Sequence, residues 1–201
     1  MPTLILATRN QGKRREIQNL LGSEIQVISL DAFPNAPKVI EDGETFEANA
    51  IKKAREIAKY TGLPALADDS GLVVDALNGA PGIYSARYAG EDATDKANNA
   101  KLIENMRDIP AKQRTAHFCC AMALASPDGR VQTSEAIWKG RILTTPRGAN
   151  GFGYDPLFYV PTQNATSAEL SSEEKNRISH RGQALRAILP LILDLFSASI
   201  P

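Results

Sequence analysis

The chain has 201 residues, 43% hydrophobic and 23% charged, the balance of a globular protein with enough apolar material for a sizeable core. Lys and Arg together number 23 and Asp and Glu 23, so the formal net charge is zero. That argues against a protein that coats nucleic acid, although a local basic pocket is still allowed.

Residues 3–7, TLILA, read as a buried strand. Residues 13–21 read as a helix with Ile17, Leu20 and Leu21 on one face and Gly22 as its stop. Residues 25–30 make a second strand, followed by a loop with Pro34 and Pro37. Over 46–60 the pattern is strongly helical: Phe46, Ala50, Ala54, Ile57 and Ala58 share a face, Thr45 can cap the start and Gly62 the end. Two short strands, 64–67 and 72–76, flank Asp68 and Asp69. A Gly/Pro-containing loop covers 78–92 and a helix 93–106. Long strands at 114–126 and 131–143 join at Ser126-Pro127-Asp128-Gly129, a turn signal between apolar runs. A Gly-rich loop spans 144–156, a short strand 157–160, and a helix 180–197 that Pro190 should kink. Early alternation of strands and helices with a later hairpin predicts an α/β fold, a mixed sheet flanked by helices, in a single domain over 1–201 with no clean linker.

Nothing in the chain predicts a membrane span or a secretory signal. The apolar stretches are too short or too interrupted to cross a bilayer, and at the N-terminus the apolar stretch precedes its basic residues, the wrong order for export. Cys119 and Cys120 are neighbours in TAHFCCAMALA, which suits small buried side chains in a reduced, cytoplasmic setting better than a metal or disulfide framework.

Chemistry concentrates in four places. In ATRNQGKRRE the strand ends at Thr8, and Lys13, Arg14 and Arg15 open a helix. Cations oppose the dipole there, but the arrangement suits a phosphate, with Thr8 and Asn10 as further hydrogen-bonding groups; a solvated basic turn balanced by Glu16 is the alternative. The glycine pattern is not that of a Walker A loop. In VIEDGETFEANAIKKA, Asn49 and Lys53 are four apart on one helical face. Asp68 and Asp69 lie side by side between apolar runs and would repel each other, a penalty that a hard cation such as Mg²⁺ removes. An Asp-Ser-Gly turn accounts for Ser70 and Gly71 but not for both acids. Finally, the aromatics of GFGYDP can stack on a base, and Lys175, His180 and Arg181 are donors suited to purine O6 or phosphate. Alternatively, Phe152 and Tyr154 anchor the loop and His180 caps a helix. Together these residues suit metal-assisted attack of water on a nucleotide phosphate.

ATRNQGK, E-D-G-x-T-F, NA-x-x-KA, LADDSGL, GAPGIYSARY, GFGYDP and SHRGQAL, in this order from Thr8 to Leu185, closely resemble the motifs of the inosine/xanthosine triphosphate pyrophosphatases. The resemblance implies Mg²⁺-dependent hydrolysis of ITP, dITP and XTP to the monophosphate and pyrophosphate, which removes deaminated purines from the nucleotide pool. It implies a long mixed sheet with two lobes around an active-site cleft, and a homodimer. Thr8, Arg9, Asn10, Gln11, Gly12 and Lys13 would hold the triphosphate. Glu41 and Asp69 would hold the metal with Asp68 nearby, and Asp69 would be the general base. Ser70 would contact substrate. Phe152, Gly153, Tyr154 and Asp155 would frame the base, and Lys175, His180 and Arg181 would complete its recognition. Where the family often has Glu directly before the Asn-Ala pair, this chain has Ala48, with Glu47 one place earlier. A pyrophosphatase for other modified triphosphates and a catalytically silent nucleotide-binding module are the alternatives.

Overall fold

A computed structural model of the chain describes residues 2–21 and 25–197; the expected stop at Gly22 lies outside them. Strand β1 (Thr3–Leu6) leads into helix α1 (Gln11–Leu21), then β2 (Gln26–Ser29) and α2 (Phe46–Thr61). Next come β3 (Ala65–Val74), α3 (Asp95–Met106), the long strands β4 (Thr115–Ala125) and β5 (Val131–Ile142), and the short strands β6 (Phe158–Val160) and β7 (Ala165–Thr166). Helices α4 (Ser172–Ile178) and α5 (His180–Ser197) end the described chain. The strands form one seven-stranded sheet in the order β2-β1-β3-β4-β5-β6-β7. β1 runs parallel to β2 and β3, whereas β6 runs antiparallel to β5 and β7, so the mixed sheet expected from the sequence is present. No described helix is long and apolar enough to cross a membrane.

Several boundaries differ from the sequence reading for local reasons. α1 begins at Gln11 rather than 13, because the Asn10 side chain accepts the Lys13 amide at 3.0 Å and the Thr8 hydroxyl accepts the Asn10 amide at 3.1 Å. α2 keeps both expected caps: Thr45 accepts from the Ala48 amide, and Gly62 takes the left-handed conformation at φ 67°. α4 was not expected; Ser171 and Glu174 build a capping box that starts it. The largest correction concerns 64–76, where a single strand, β3, runs unbroken through Asp68-Asp69-Ser70-Gly71. There is no turn at the aspartates, because each acid finds cationic partners while still in the strand.

The chain divides into two compact units. The first comprises 1–69, 120–136 and 181–201. Its sheet residues alternate with the two-residue period of a strand. Leu4, Leu6, Leu66, Cys120, Met122 and Leu124 pack with Ile17 and Leu21 of α1 and with Ala184, Leu185, Ile188 and Ile192 of α5. Ile5, Ala7, Ala65, Ala67, Ala121, Ala123 and Ala125 pack with Ala50, Ala54, Ile57 and Ala58 of α2. One face is therefore lined by large side chains and the other mainly by alanine, which lets α2 lie close against the sheet. Asp68 continues the first series and Asp69 the second.

The second unit comprises 70–119 and 137–180. Its core joins Leu72, Val74, Leu102, Met106, Phe118, Trp138, Tyr154, Leu157 and Phe158. Phe158 is fully buried, with its ring centroid 4.4 Å from that of Phe118 and 5.2 Å from that of Trp138. Gly140 leaves room for that ring, since a Cβ there would meet Phe158 Cζ at 2.5 Å. Phe158→Ala should lower the unfolding free energy by about 3–5 kcal/mol, read from the urea midpoint at unchanged slope. A loss below about 1 kcal/mol would mean that the cluster collapses into the vacated space.

Candidate active site

Charged side chains gather at the buried part of β3 in the first unit. Asp68 and Asp69 are only 1% and 6% exposed. Successive strand residues point to opposite faces, and the partners follow that rule. Asp68 Oδ1 meets Lys13 Nζ of α1 at 2.5 Å, and Asp68 Oδ2 accepts from Arg181 Nε of α5 at 2.9 Å. The Cys120 thiol also donates to Asp68 Oδ2, at 3.0 Å. Arg181 turns another edge of its guanidinium to Glu16. Lys53 of α2 serves the opposite side. Its Nζ donates to Asp69 Oδ1 at 3.0 Å, to Glu41 Oε1 at 2.8 Å and to the Asp68 backbone carbonyl at 2.8 Å.

The electrostatics of the two acids diverge accordingly. Burial works against the charge of Asp68, but the Arg181 guanidinium and the Lys13 ammonium outweigh it and hold the carboxyl well below its ordinary range. Burial dominates at Asp69 and leaves it raised, despite the pull of Lys53 and Lys13. Burial disfavours the Lys53 charge, yet Asp69 and Glu41 keep that ammonium above its ordinary range. Burial, with the Asp68 charge beside it, pushes the Cys120 thiol well up, so it remains a donor rather than a nucleophile.

Two polar atoms on the Lys53 side have no partner among the described residues: Asp69 Oδ2 and Asn49 Nδ2, both buried. Asn49 uses its other end, accepting the Gly43 amide at 2.8 Å and so fixing the loop that carries Glu41. Asn49 and Lys53 are buried on the same face of α2, as their spacing predicted. Glu47 instead accepts from Thr133 at the exposed surface. The 8–13 segment serves mostly structural ends: Thr8 and Asn10 start α1, Arg9 donates to the Ala36 carbonyl, Gln11 reaches Asp31, and Gly12 is buried.

The loop at 151–155 lies in the second unit. Asp155 is 2% exposed and saturated: Lys175 Nζ reaches its Oδ2 at 2.5 Å, the Phe152 amide donates to the same oxygen at 2.9 Å, and Ser167 donates to Oδ1 at 2.7 Å. Asp155 thus shapes the loop rather than offering a free oxygen. The Lys175 ammonium stands 5.0 Å from the Phe152 ring centroid, and the Tyr154 hydroxyl donates to the Ser85 carbonyl. His180 is buried and stacked on Phe118, centroids 4.7 Å apart at 13°. Ser70 follows Asp69 in the strand and is partly exposed.

The structure thus brings Lys13, Glu41, Asn49, Lys53, Asp68 and Asp69 into the first unit and the loop residues with Lys175 and His180 into the second. Two placements differ from expectation. The Asp68 carboxylate does not join Glu41 and Asp69; only its backbone carbonyl does. Arg181, expected beside His180 as a donor to the base, directs its guanidinium to Asp68 and Glu16. Cys120 is buried, as the sequence indicated, but sequence reasoning missed its bond to Asp68, and it missed Asp95 and Asn99 one turn apart on α3. Asp95 accepts the Gly153 amide at 2.7 Å, and Asn99 donates to the Gly153 carbonyl at 2.9 Å. Only the i,i+4 spacing of two polar residues signalled that pair. No three His, Cys, Asp or Glu side chains cluster as a metal cage among the described residues.

The profile of the Ham1 family matches residues 4–191. A protein named dITP/XTP pyrophosphatase from Geobacter sulfurreducens is 58% identical over 92% of this chain and 94% of its own length. One of the same name from Desulforamulus reducens is 53% identical over 96% of each. Among solved structures, a HAM1 protein from Coxiella burnetii superposes with a TM-score of 0.87 at 47% identity, covering 96% of this chain and all of its own.

Arg181→Met removes the guanidinium between two acids, and should cost about 3–5 kcal/mol of stability because it strands buried carboxylates. Combined with Asp68→Asn, the loss should be smaller than the sum of the two single losses in a double-mutant cycle. Strictly additive losses would show that the pair is not coupled.

Proposed function

This chain belongs to the Ham1 family, and we propose that it hydrolyses non-standard purine nucleoside triphosphates, namely ITP, dITP and XTP, to the monophosphate and pyrophosphate with Mg²⁺. The carrying observation is the convergence of Glu41 Oε1, Asp69 Oδ1 and the Asp68 carbonyl on a single point, with Asp69 Oδ2 buried and unpartnered beside it among the described residues. Two carboxylates and a carbonyl are a hard-oxygen set. Mg²⁺ commonly takes one or two carboxylates and completes its shell from water and substrate phosphate, so these residues fit it. When bound there, the ion would neutralise charge on the triphosphate and on the departing pyrophosphate.

The remaining steps fall to the chain's own groups. Water adds to the α-phosphorus, the bond to the bridging oxygen breaks, and pyrophosphate leaves. Asp69 Oδ2 would orient that water and take its proton. Asn49 Nδ2 would donate to a phosphate oxygen, and Lys13 would add positive charge. Arg181 enters as the group that holds Asp68. In the second unit, His180 would donate to O6 of hypoxanthine or xanthine, where adenine carries an amino group. A site built on such a bond rejects the wrong partner by leaving buried donors facing each other. Phe152 and Tyr154 would frame the base. The reading extends to a homodimer working in the cytoplasm.

Pyrophosphate release from ITP, XTP, GTP and ATP, with and without Mg²⁺, tests it. Release should be metal-dependent and confined to ITP and XTP, and Asp69→Asn should cut kcat by about 100-fold or more. Tight ITP binding without turnover would make the chain a silent nucleotide-binding module; turnover of another triphosphate would replace the account of the base. His180→Ala should narrow the ITP-over-ATP ratio of kcat/KM more than it changes kcat. An unchanged ratio would remove His180 from base recognition.

A further inference from the structure

Lys53 holds three oxygens from two segments of the first unit: one from the loop at Glu41 and two from β3. An ammonium has three donors, and all three are directed at the oxygen set that the metal reading assigns to a divalent cation. We propose that the Lys53 ammonium is the resident counter-ion of this site: it keeps the Glu41 and Asp69 carboxylates in place when no metal is bound, and it has to leave before a metal can bind. This rests on the metal assignment above.

Asp69 is 6% exposed and the half-buried Glu41 reaches the same ammonium, so without a cation the two carboxylate charges would repel each other. Lys53 supplies that cation at 2.8–3.0 Å and occupies the point on which the three oxygens converge, so an ion held by all three has to take the place of the ammonium. Entry of the ion therefore exchanges one positive charge for two. The displaced ammonium sits on a long flexible stem on the same helical face as Asn49, whose buried Nδ2 has no partner among the described residues. An anion held by Asn49 would also meet Lys53. Metal and phosphate would thus assist each other: phosphate gives the expelled ammonium a partner, and the metal releases the ammonium to phosphate. Such coupling is reciprocal. In the nucleotide-free protein the metal has to expel Lys53 with no compensating anion, and its affinity there is reduced by that amount.

Removing the ammonium should therefore strengthen metal binding in the nucleotide-free protein. Mn²⁺ titrated into wild type, Lys53→Met and Asp69→Asn, followed by electron paramagnetic resonance of the free ion, should show Lys53→Met binding about ten- to hundredfold tighter than wild type. Asp69→Asn should lose binding. If Lys53→Met binds equally or more weakly while Asp69→Asn abolishes binding, the counter-ion role is overturned and the metal site stands. If Asp69→Asn binds like wild type, the metal assignment fails as well. A readout on the wild-type chain covers a Lys53→Met variant that does not fold. Buried, hydrogen-bonded lysine ammonium groups give observable ¹⁵N-coupled proton signals, and the Lys53 signal should move or vanish on addition of Mg²⁺. A signal unchanged at saturating Mg²⁺ overturns the proposal.

Discussion

The two-residue period of a β-strand is the constraint on which the charged cluster depends. Asp68 and Asp69 are adjacent in sequence, and two buried carboxylates on one face would repel strongly with no water to screen them. Because β3 continues straight through them, they emerge on opposite faces of the sheet. Each then meets a different set of cations: Lys13 and Arg181 for Asp68, Lys53 for Asp69. One strand thereby carries two carboxylates of opposite character. Asp68 is held ionised by its two cations, while Asp69 is dominated by burial and keeps one oxygen without a partner among the described residues.

The packing of the first unit serves the same division. Alanines at 65, 67, 121, 123 and 125 line the face under α2. With alanine at most of the sheet positions there, α2 lies close, and Lys53 reaches both the Asp68 carbonyl and the Asp69 carboxylate while its stem stays buried. The opposite face carries leucines and methionine against α1 and α5. There the approaching groups are Arg and Lys side chains that reach Asp68 from two helices. A salt bridge so deeply buried adds little net stability compared with apolar packing, but losing one partner is costly. The Asp68 network is therefore better understood as a fixed framework than as a source of stability.

The second unit fixes its loop by saturating it. Asp155 takes three hydrogen bonds, and Gly153 is held at its amide by Asp95 and at its carbonyl by Asn99. Gly151 and Gly153 both have positive φ, which favours glycine and makes the tight path possible. Phe152 and Tyr154 are thus carried on a fixed backbone, with Tyr154 buried in the core of the unit and its hydroxyl on the Ser85 carbonyl.

The order of elements, the caps of α2, the mixed sheet and the residues with unusual chemistry are all written in local pattern. Alternating apolar residues, Thr45 before a helical face and Gly62 after it, and acids inside apolar runs are short-range signals, and ordered motifs carried the family. Partners were not legible. No spacing indicates that Arg181 would turn to Asp68 and Glu16 instead of standing with His180, that the Cys120 thiol would donate to an acid 52 residues away, or that Asp95 and Asn99 would grip Gly153. The unbroken course of β3 was missed for the same reason: Asp, Ser and Gly favour turns on their own, and only cations brought from distant helices make an extended path through two acids stable. The sequence by itself therefore determined which side chains have chemistry and which local structures carry them. The tertiary structure alone decided which charge meets which, because strand periodicity and helix approach set those distances, and both are fixed only when the core closes.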